Sequence, residues 1–438
     1  MQRSESQPRL IQAMMDAFRL PDLRRKILFT LGILVVFRFV AHIPLPGADL
    51  AALGNFYDET PLMGMLDLFS GGAMKSFSVL AMGVYPYITA TIVMQLLTPV
   101  LPGLAALAQE GETGRQKINR ITHIITVPLA ALQGYSQVAL LQSQHIVGYL
   151  SPEMMAVALL SMTAGTMFLV WLGELITERG IGNGISIVIF GGIVAQLPDM
   201  VGRGFVAKED PAGLITFVIL GLITLVLVVV FTEAHRRIPV QYARSTFRGG
   251  RMYRQSGSSY IPLKVNTAGM IPIIFAIAIM TFPWTISTWF MNAPGQDPNF
   301  WNSVYHLFNP GNSAPLGLAY WLPYFALVVG FAFFYTMITF EQMKLPSTLQ
   351  QQGGFIPGVR PGKPTVDYLN GVIKRITWGG ALFLAVVAIL PFVAREVTGV
   401  VVLSFQSTAL LIVVGVALDT MKQMESQLTM RRYEGFLK

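Results

Sequence analysis

Ten apolar stretches of about 20 residues recur along the chain, and each is long enough to cross a lipid bilayer as a helix. They lie near residues 22–42, 76–98, 118–139, 154–175, 183–202, 212–232, 268–290, 317–340, 374–394 and 401–420. Because 53% of the residues are hydrophobic and only 12% are charged, the chain cannot build a water-facing surface of ordinary size. We therefore predict an all-α polytopic membrane protein with ten transmembrane helices.

One further apolar segment, Leu62–Gly72, is too short to span the bilayer. We expect it to re-enter the membrane or to cap the neighbouring helices. Glycine and proline recur at other points as well, at Gly180–Gly184, at Gly269 with Pro272, and at Pro86 inside the second stretch. These residues weaken helices, and their clustering predicts backbone that moves or lines a cavity.

Positive charge is concentrated on one side of the predicted topology. Ten spans place both termini on the same side, and that side carries all but five of the 31 lysines and arginines. The five exceptions are Arg38, Lys75, Arg203, Lys208 and Arg395. Under the positive-inside rule, both termini and the large basic loops 233–265 and 341–375 are cytoplasmic. Such a positive surface suits anionic lipids, RNA phosphates or an acidic protein face.

The loop 341–375 is a conspicuous exposed feature between two apolar stretches. Seven prolines and glycines lie between Gly353 and Pro364, and they prevent a continuous helix there. They place Arg360 between two turns, where its planar guanidinium group can face a partner. We predict that a partner in solution contacts the chain at this arginine.

Reactive side chains are sparse. There are no cysteines and the five histidines are scattered, so we expect no disulfide, no thiol nucleophile and no metal site. No GxxxxGK[ST] motif is present to bind the phosphates of ATP. Glu174 and Glu178 have no histidine or aspartate partner nearby in sequence, and we expect them to be solvated residues at a helix end. The chain is therefore predicted not to be an enzyme and to need no cofactor.

Arg38 is the one charged residue well inside an apolar stretch, and we expect it to snorkel or to anchor neighbouring helices. A transporter coupled to ions or protons usually keeps paired ionisable groups near the middle of the bilayer. Their absence from these stretches argues against a proton-coupled pump.

Six segments carry a resemblance to a known family. They are FRFVAHIPLPG (37–47), FSGGAMKSFSVLAMGVYPYITATIVMQLLTP (69–99), EGETGRQKI (110–118), WLGELITERGIGNGISIVIF (171–190), YIPLKVNTAGMIPIIFA (260–276) and GGFIPGVRPGKPT (353–365). In these motifs and in their order, the chain from about residue 20 to its end resembles the bacterial SecY family, the channel-forming subunits of the SecYEG protein translocase. The departures are Gln109 in place of a lysine before Glu110, the wording of loop 248–260, and a short tail after Met421.

The resemblance implies two inverted-repeat halves of five spans around an hourglass pore. The implied segments are a cytoplasmic N-terminal segment 1–21, a first half 22–202, an external hinge loop 203–211, a second half 212–421 and a cytoplasmic tail 422–438. A plug at 62–75, a short re-entrant helix, would fill the outer funnel at rest. Its residues would include Leu66, Phe69, Ser70, Gly71 and Gly72.

The resemblance also implies a ring of aliphatic residues at the narrowest part of the pore. The ring would consist of Val84, Ile88, Ile185, Ile189, Ile274 and Ile412. Aliphatic side chains offer ions and water no hydrogen bonds to offset dehydration, and they offer a passing peptide no polar site to hold it. Beside the ring, spans 2 and 3 would meet spans 7 and 8 at a lateral gate, through which apolar segments reach the lipid.

Energy for transport would come from outside the chain, from the SecA ATPase or a translating ribosome docked on the two basic loops. The implied contacts are Arg236, Arg237, Arg244, Arg248, Arg251, Arg254 and Arg360, whose guanidinium groups suit RNA phosphates or carboxylates. The implied partners are the membrane subunits SecE and SecG, signal peptides, nascent chains and anionic lipids. The implied location is the cell inner membrane.

Two other classes stay open on the residues alone. A secondary transporter would take up a substrate in vesicles without any ATPase or ribosome. A membrane-bound receptor or scaffold with basic loops would bind ribosomes but conduct nothing when opened.

Overall fold

The structure is a computed structural model of a mainly helical chain. It describes residues 20–436 apart from residues 46–52, 55–66, 68–69, 144–145, 149, 207–210, 249–250, 293–296, 310–311, 313–314, 344 and 399–405. The helices of the first half of the chain are α1 (Pro21–Ala41), α2 (Tyr85–Leu97), α3 (Pro102–Gln109), α4 (Glu112–Ser143), α5 (Pro152–Arg179) and α6 (Gly184–Val206). The elements of the second half are α7 (Pro211–Glu233), β1 (His235–Arg248), β2 (Arg251–Lys264), α8 (Ile271–Phe290), α9 (Phe300–Leu307), α10 (Leu318–Met343), α11 (Leu345–Gln351), β3 (Gly354–Phe355), α12 (Lys363–Thr398) and α13 (Gln406–Phe436).

A helix occupies at least part of each of the ten predicted apolar stretches. Within the described residues, four helical runs are long and apolar enough to cross a membrane by themselves: Glu112–Gln142, Pro152–Arg179, Leu318–Gln351 and Lys363–Leu390. A fifth results if α2 and α3, which are bent by 98° relative to each other, count as one broken span. The chain is thus a membrane protein with several apolar helices, and the number ten remains a prediction.

The second predicted stretch differs most from expectation. It was expected to be helical from residue 76, but residues 71–84 form a series of turns and the helix begins only at Tyr85. Pro86 and Pro272 were expected to interrupt helices, and both instead lie in the first turn of a helix, α2 and α8 respectively. Proline is tolerated there because its missing N–H would have no partner within the helix.

The prediction of an all-α chain is wrong in the two large basic loops. β1 and β2 form an antiparallel hairpin in which His235 pairs with Lys264 and Arg248 pairs with Arg251. β3 adds to the outer side of β1, where Phe355 pairs with Gln241. The resulting three-stranded sheet has the order β2-β1-β3, so it joins the two basic loops into one unit.

This sheet has a small hydrophobic core of its own. The residues that build it come from both loops and from the adjoining helices: Ile238, Val240, Leu263, Phe340, Leu349, Ile356, Leu369 and Ile373. Because α10 and α12 contribute Phe340, Leu369 and Ile373, the sheet packs directly on the ends of two long helices.

The helices share one large apolar core, in which α4 packs against α2 and α5, and α10 packs against α8 and α12. α8 also contacts α2 and α4, so the two halves of the chain meet along this helix. Large apolar side chains such as Phe39 and Leu160 face outward and are more than 70% exposed. An outward apolar surface is stable in lipid, which solvates it as well as the core does.

Helices extend into two segments that were expected to be a loop and a tail. α6 extends to Val206, four residues into the segment assigned to the hinge, and α7 begins at Pro211. Residues 207–210 lie outside the described residues. α13 runs as one helix from Gln406 to Phe436, through most of the predicted cytoplasmic tail.

Candidate functional site

The six residues of the predicted ring all lie in or against one large apolar core. Val84, Ile88, Ile189, Ile274 and Ile412 are buried members of the main apolar core, and the half-buried Ile185 packs against it. They come from the N-terminal end of α2, from α6, from α8 and from α13. Aliphatic residues from four separated parts of the chain therefore share one extended apolar core, and their arrangement as a constriction remains a prediction.

Local structure explains how each member is presented. Val84 ends the run of turns and Ile88 follows one helical turn later, because the amide of Ile88 donates to the carbonyl of Val84 at 3.0 Å. Ile185 and Ile189 are likewise one turn apart on α6, on a single helix face. Ile274 lies in the first turns of α8, whose start follows Gly269 with a positive φ of 64°.

The run of turns from Ser70 to Val84, here called the turn segment, lies directly before the ring residues. Phe77, Leu80, Ala81 and Val84 in it are completely buried. Its start is organised by Asp67, whose carboxylate oxygen Oδ1 accepts from the Ser70 hydroxyl at 3.1 Å and from the Met74 amide at 3.1 Å. Of the predicted plug residues, Ser70, Gly71 and Gly72 belong to this segment, while Leu66 and Phe69 lie outside the described residues.

Asp67 carries a buried carboxyl group outside the candidate spanning helices. Only 1% of the residue is exposed. Burial raises the pKa of this carboxyl group to about 6 from its ordinary 3.8, although the positive charge of Lys75 and the hydrogen bonds from Lys75, Ser70 and Met74 act in the opposite direction. Desolvation is therefore the dominant effect, and the carboxyl group titrates near neutral pH.

Two helices hold the turn segment from the side. The Arg38 guanidinium group of α1 donates from Nη1 to the carbonyl of Gly71. The Gln196 side-chain amide of α6 donates from Nε2 to the carbonyl of Asp67 at 3.2 Å. Arg38 was expected to snorkel or to anchor neighbouring helices. Its partner in the structure is a backbone carbonyl of the turn segment.

A buried hydrogen bond crosses the contact between the two halves. The Tyr85 hydroxyl of α2 lies 2.5 Å from the Thr281 hydroxyl oxygen of α8. Both residues are almost completely buried. Neither was singled out from the sequence, because a tyrosine and a threonine separated by 196 residues give no local pattern that pairs them.

The predicted arginine contacts are distributed over the sheet and the following turn. Arg236, Arg237 and Arg360 are exposed. The Arg237 guanidinium carbon lies 4.9 Å from the centre of the Tyr260 ring, which restrains that side chain through a cation–π contact. Arg244, Arg248, Arg251 and Arg254 lie on the hairpin strands, where the register pairs Arg248 with Arg251 and Arg254 with Ser245.

Glu174 differs from its predicted role as a solvated residue without a partner. Its Oε1 lies 3.1 Å from His123 Nε2 and accepts from the Asn119 side-chain amide at 2.9 Å. Both partners lie on α4, four residues apart and therefore on one helix face. The spacing of Asn119 and His123 was the only signal that the sequence offered for this contact. The contact itself joins α4 to Glu174 of α5 across about 50 residues of sequence.

Within the described part of the chain, no group of three or more histidine, cysteine, aspartate or glutamate residues could hold a metal ion.

Comparisons with known proteins agree on one family. The model of the SecY family matches residues 78–421. Protein translocase subunit SecY from Streptomyces scabiei is 42% identical over 447 residues, which cover 98% of this chain and 100% of that relative. Protein translocase subunit SecY from Mycobacterium tuberculosis H37Rv is 42% identical over 451 residues, with the same coverage of both chains.

Solved structures show the same fold at lower sequence identity. A protein-conducting channel superimposes with a TM-score of 0.64 at 17% identity, over 94% of this chain and 96% of that one. Sec61 from the canine ribosome-channel complex of the endoplasmic reticulum superimposes with a TM-score of 0.62 at 16% identity, over the same shares of the two chains.

The titration of Asp67 predicts that acid strengthens the packing of the turn segment. The pKa is raised while the segment is packed, so the packed state binds a proton more readily than a displaced state with an ordinary pKa of 3.8. The added stability is fully present below about pH 4 and is lost as the pH rises through about 6. At pH 7 the carboxylate therefore weakens the packing.

A cysteine in place of the buried Met74 reports this change through its rate of alkylation. The same cysteine combined with Asp67→Asn is the matched control, since asparagine keeps the acceptor oxygen but carries no charge. At pH 7 we expect faster alkylation with aspartate than with asparagine, by up to about a hundredfold, and equal rates near pH 4. A ratio of rates that stays constant between pH 4 and pH 7 would contradict the prediction.

Proposed function

The chain belongs to the SecY family of protein translocase subunits, and on that premise we propose that it forms the central subunit of a protein-conducting channel. In this role it passes unfolded secretory polypeptides across the inner membrane and releases transmembrane segments sideways into the lipid. The chain is not an enzyme, so SecA or a translating ribosome supplies the energy.

The burial of all six predicted ring residues in or against one apolar core is the observation that carries this proposal. They come from α2, α6, α8 and α13, which are far apart in sequence. A seal of this composition works by exclusion, because it gives a dehydrated ion no compensating hydrogen bond. An extended polypeptide passes because the same side chains can shift around it without holding any part of it.

The proposed architecture is ten spans in two inverted halves, with both termini in the cytoplasm. The first half contains α1 to α6 and the second contains α7 to α13, and the proposed hinge is at 203–211. Support comes from the helix found in each of the ten stretches and from the contacts of α8 with α2 and α4, where the halves meet. The proposed plug at 62–75 includes the start of the turn segment, which leads to the ring residue Val84.

The contact of α2 and α4 with α8 is the proposed lateral gate. A signal peptide or nascent span that separates these helices gains contact with lipid, at roughly 25 cal/mol per Å² of apolar area removed from water. This gain opposes the packing of α8 and the buried Tyr85–Thr281 hydrogen bond. A balance within a few kcal/mol makes the gate responsive to the hydrophobicity of its substrate.

The cytoplasmic sheet and the turn that carries Arg360 form the proposed docking surface for SecA or the ribosome. Exposed guanidinium groups at Arg236, Arg237 and Arg360 suit carboxylates or RNA phosphates. SecE and SecG are proposed as the membrane partners, and anionic lipids as partners of the positive cytoplasmic surface.

Removal of the ring side chains tests the channel function. We expect that serine in place of Ile88, Ile189, Ile274 and Ile412, in a chain without the plug, raises ion conductance across planar bilayers, because serine hydrates the constriction. The matched control places serine at four exposed isoleucines, Ile124, Ile219, Ile223 and Ile279, and should leave conductance unchanged. Equal conductance of the ring variant and its parent would mean that these side chains only fill the core.

Translocation of a secretory precursor by the purified complex, with and without a motor, separates the proposed function from the two other classes. A translocase requires the motor, a secondary transporter takes up a small substrate without it, and a scaffold moves nothing.

Tyr85→Phe tests the gate by removing the hydroxyl that crosses the contact between α2 and α8. A buried hydrogen bond contributes about 0.5–1.5 kcal/mol, so we expect the variant to translocate a precursor with a weakened signal sequence about 2- to 10-fold faster. Tyr87→Phe is the matched control, because its hydroxyl donates to Asn119 on α4 at 3.4 Å within the same half. A faster rate in the control but not in Tyr85→Phe would place the restraint elsewhere.

Arg360→Glu tests the docking surface. The exposed position allows charge reversal without loss of packing, and we expect translocation with the SecA motor to fall by about tenfold or more while membrane insertion is retained. Arg120→Glu, at an exposed arginine of α4 outside both loops, is the matched control. Parental translocation rates in the Arg360 variant would remove this arginine from the docking surface.

A further inference from the structure

We propose that Arg38 and Gln196 form a releasable catch that holds the described part of the plug, Asp67 and Ser70–Lys75, in the closed channel, and that opening of the channel breaks both of their hydrogen bonds. This inference rests on the proposed channel function. It assigns a positioning role to two residues on different helices, and it specifies which contacts of the plug are released and which are retained.

The first observation is the placement of a charge in the last turn of an apolar helix. An arginine within an apolar stretch is costly, and it is normally retained where it has a function. Within the described residues, no carboxylate lies within ion-pair distance of Arg38, and its Nη1 instead donates to the carbonyl of Gly71. A charge-assisted hydrogen bond of this kind is stronger than one between neutral groups.

The second observation concerns the surface of α1 and α6 against which Gly71 packs, here called the seat. It leaves no room for a side chain at position 71. Gly71 has a φ of 69°, and a Cβ built there would lie 2.8 Å from the Cα of Gly192 and 2.8 Å from Cζ of Phe37. Phe37 and Arg38 are consecutive in α1, whereas Gly192 and Gln196 are one turn apart in α6. The seat and the two donors are therefore built from the same two helices.

The third observation concerns Asp67, which shapes the segment to present its carbonyls. The Asp67 carboxylate accepts from the amides of Met74 and Lys75 at 3.1 and 3.3 Å. The carbonyl of the same residue accepts from the Gly72 amide and from Gln196. Gln196 is seven residues beyond the ring residue Ile189 on α6, so the donor lies on the ring face, two turns away.

The contacts on the other side of the segment are of a different kind. The chain just after α1 pairs with the turn segment through backbone groups: the Leu45 amide donates to Phe77 at 2.7 Å, and the Val79 amide donates to Ile43 at 3.1 Å. The Ser76 hydroxyl adds a bond to the carbonyl of Ala41 at 3.0 Å. Breaking these backbone pairs would leave buried polar groups unpaired, which is costly.

The two sets of contacts thus have different roles. The backbone pairs at residues 43–45 and 77–79 act as a permanent tether. The side chains of Arg38 and Gln196 donate to the carbonyls of Gly71 and Asp67, respectively. These two hydrogen bonds can break while the backbone pairs of the tether are kept. A plug that leaves its seat therefore pivots about residues 76–79.

Arg38→Met tests the catch in the purified complex. We expect resting ion conductance in planar bilayers to rise by about tenfold or more, because a charge-assisted hydrogen bond to the plug is lost. Arg38→Lys retains a charged donor and should restore most of the seal. Arg120→Met, the same change at an exposed arginine of α4, should have no effect.

A second measurement reads the position of the plug without any conduction. A cysteine at the buried position 74 should be alkylated by a membrane-impermeant reagent about tenfold faster in Arg38→Met, in Gln196→Leu and in Gly71→Ala, because each change removes a donor or blocks the seat. Gly330→Ala is a matched control for the last variant, since a Cβ at Gly330 meets no atom within 4 Å.

The outcomes separate this inference from the channel assignment. If serine in the ring raises conductance and neither Arg38→Met nor Gln196→Leu raises conductance or alkylation, the channel stands and the catch is overturned. If the ring variant without the plug conducts nothing, the channel function fails, and the alkylation rates still decide whether Arg38 and Gln196 hold the segment.

Discussion

Buried backbone outside a helix must find hydrogen-bond partners within the protein, and this constraint governs the centre of the molecule. Lipid offers no donor or acceptor, so a run of turns inside an apolar stretch is stable only when neighbouring groups satisfy it. The turn segment meets this demand with its own amides, with the Asp67 carboxylate, and with side chains from α1 and α6. The same arrangement presents Val84 and starts α2 at Tyr85, so the ring and the contact with α8 both depend on it.

The sequence predicted the parts of this fold that repeat locally. The apolar stretches located the helices, and the resemblance selected six residues that all lie in or against the main apolar core. The turn segment was not predictable in this way, because Phe77, Leu80 and Val84 are as apolar as any span. Its non-helical path follows from a single carboxylate and from donors on distant helices. Gln196, for example, lies 129 residues away from Asp67.

The hairpin of β1 and β2 is a different case, because its signal was present in the sequence. Ile238 and Val240 are buried in β1 and alternate with the less buried Pro239 and Gln241, as a half-buried strand requires. The basic residues that flank them predicted a contact surface, and they gave no sign that the two loops share a sheet. Pairing between Gln241 and Phe355 joins segments more than 100 residues apart, and pairing at that distance leaves no local pattern.

The shared core of the sheet has a mechanical consequence. α12 is one unbroken helix of 36 residues, about 54 Å long. Leu369 and Ile373 near its start pack in the core of the sheet. Its remaining length packs along α10, which in turn packs on α8. A force applied to the sheet is therefore transmitted through α12 and α10 to α8, the helix that contacts α2. This connection lies in the second half of the chain alone, so a force on the sheet acts on α8 and thereby on its contact with the first half of the chain.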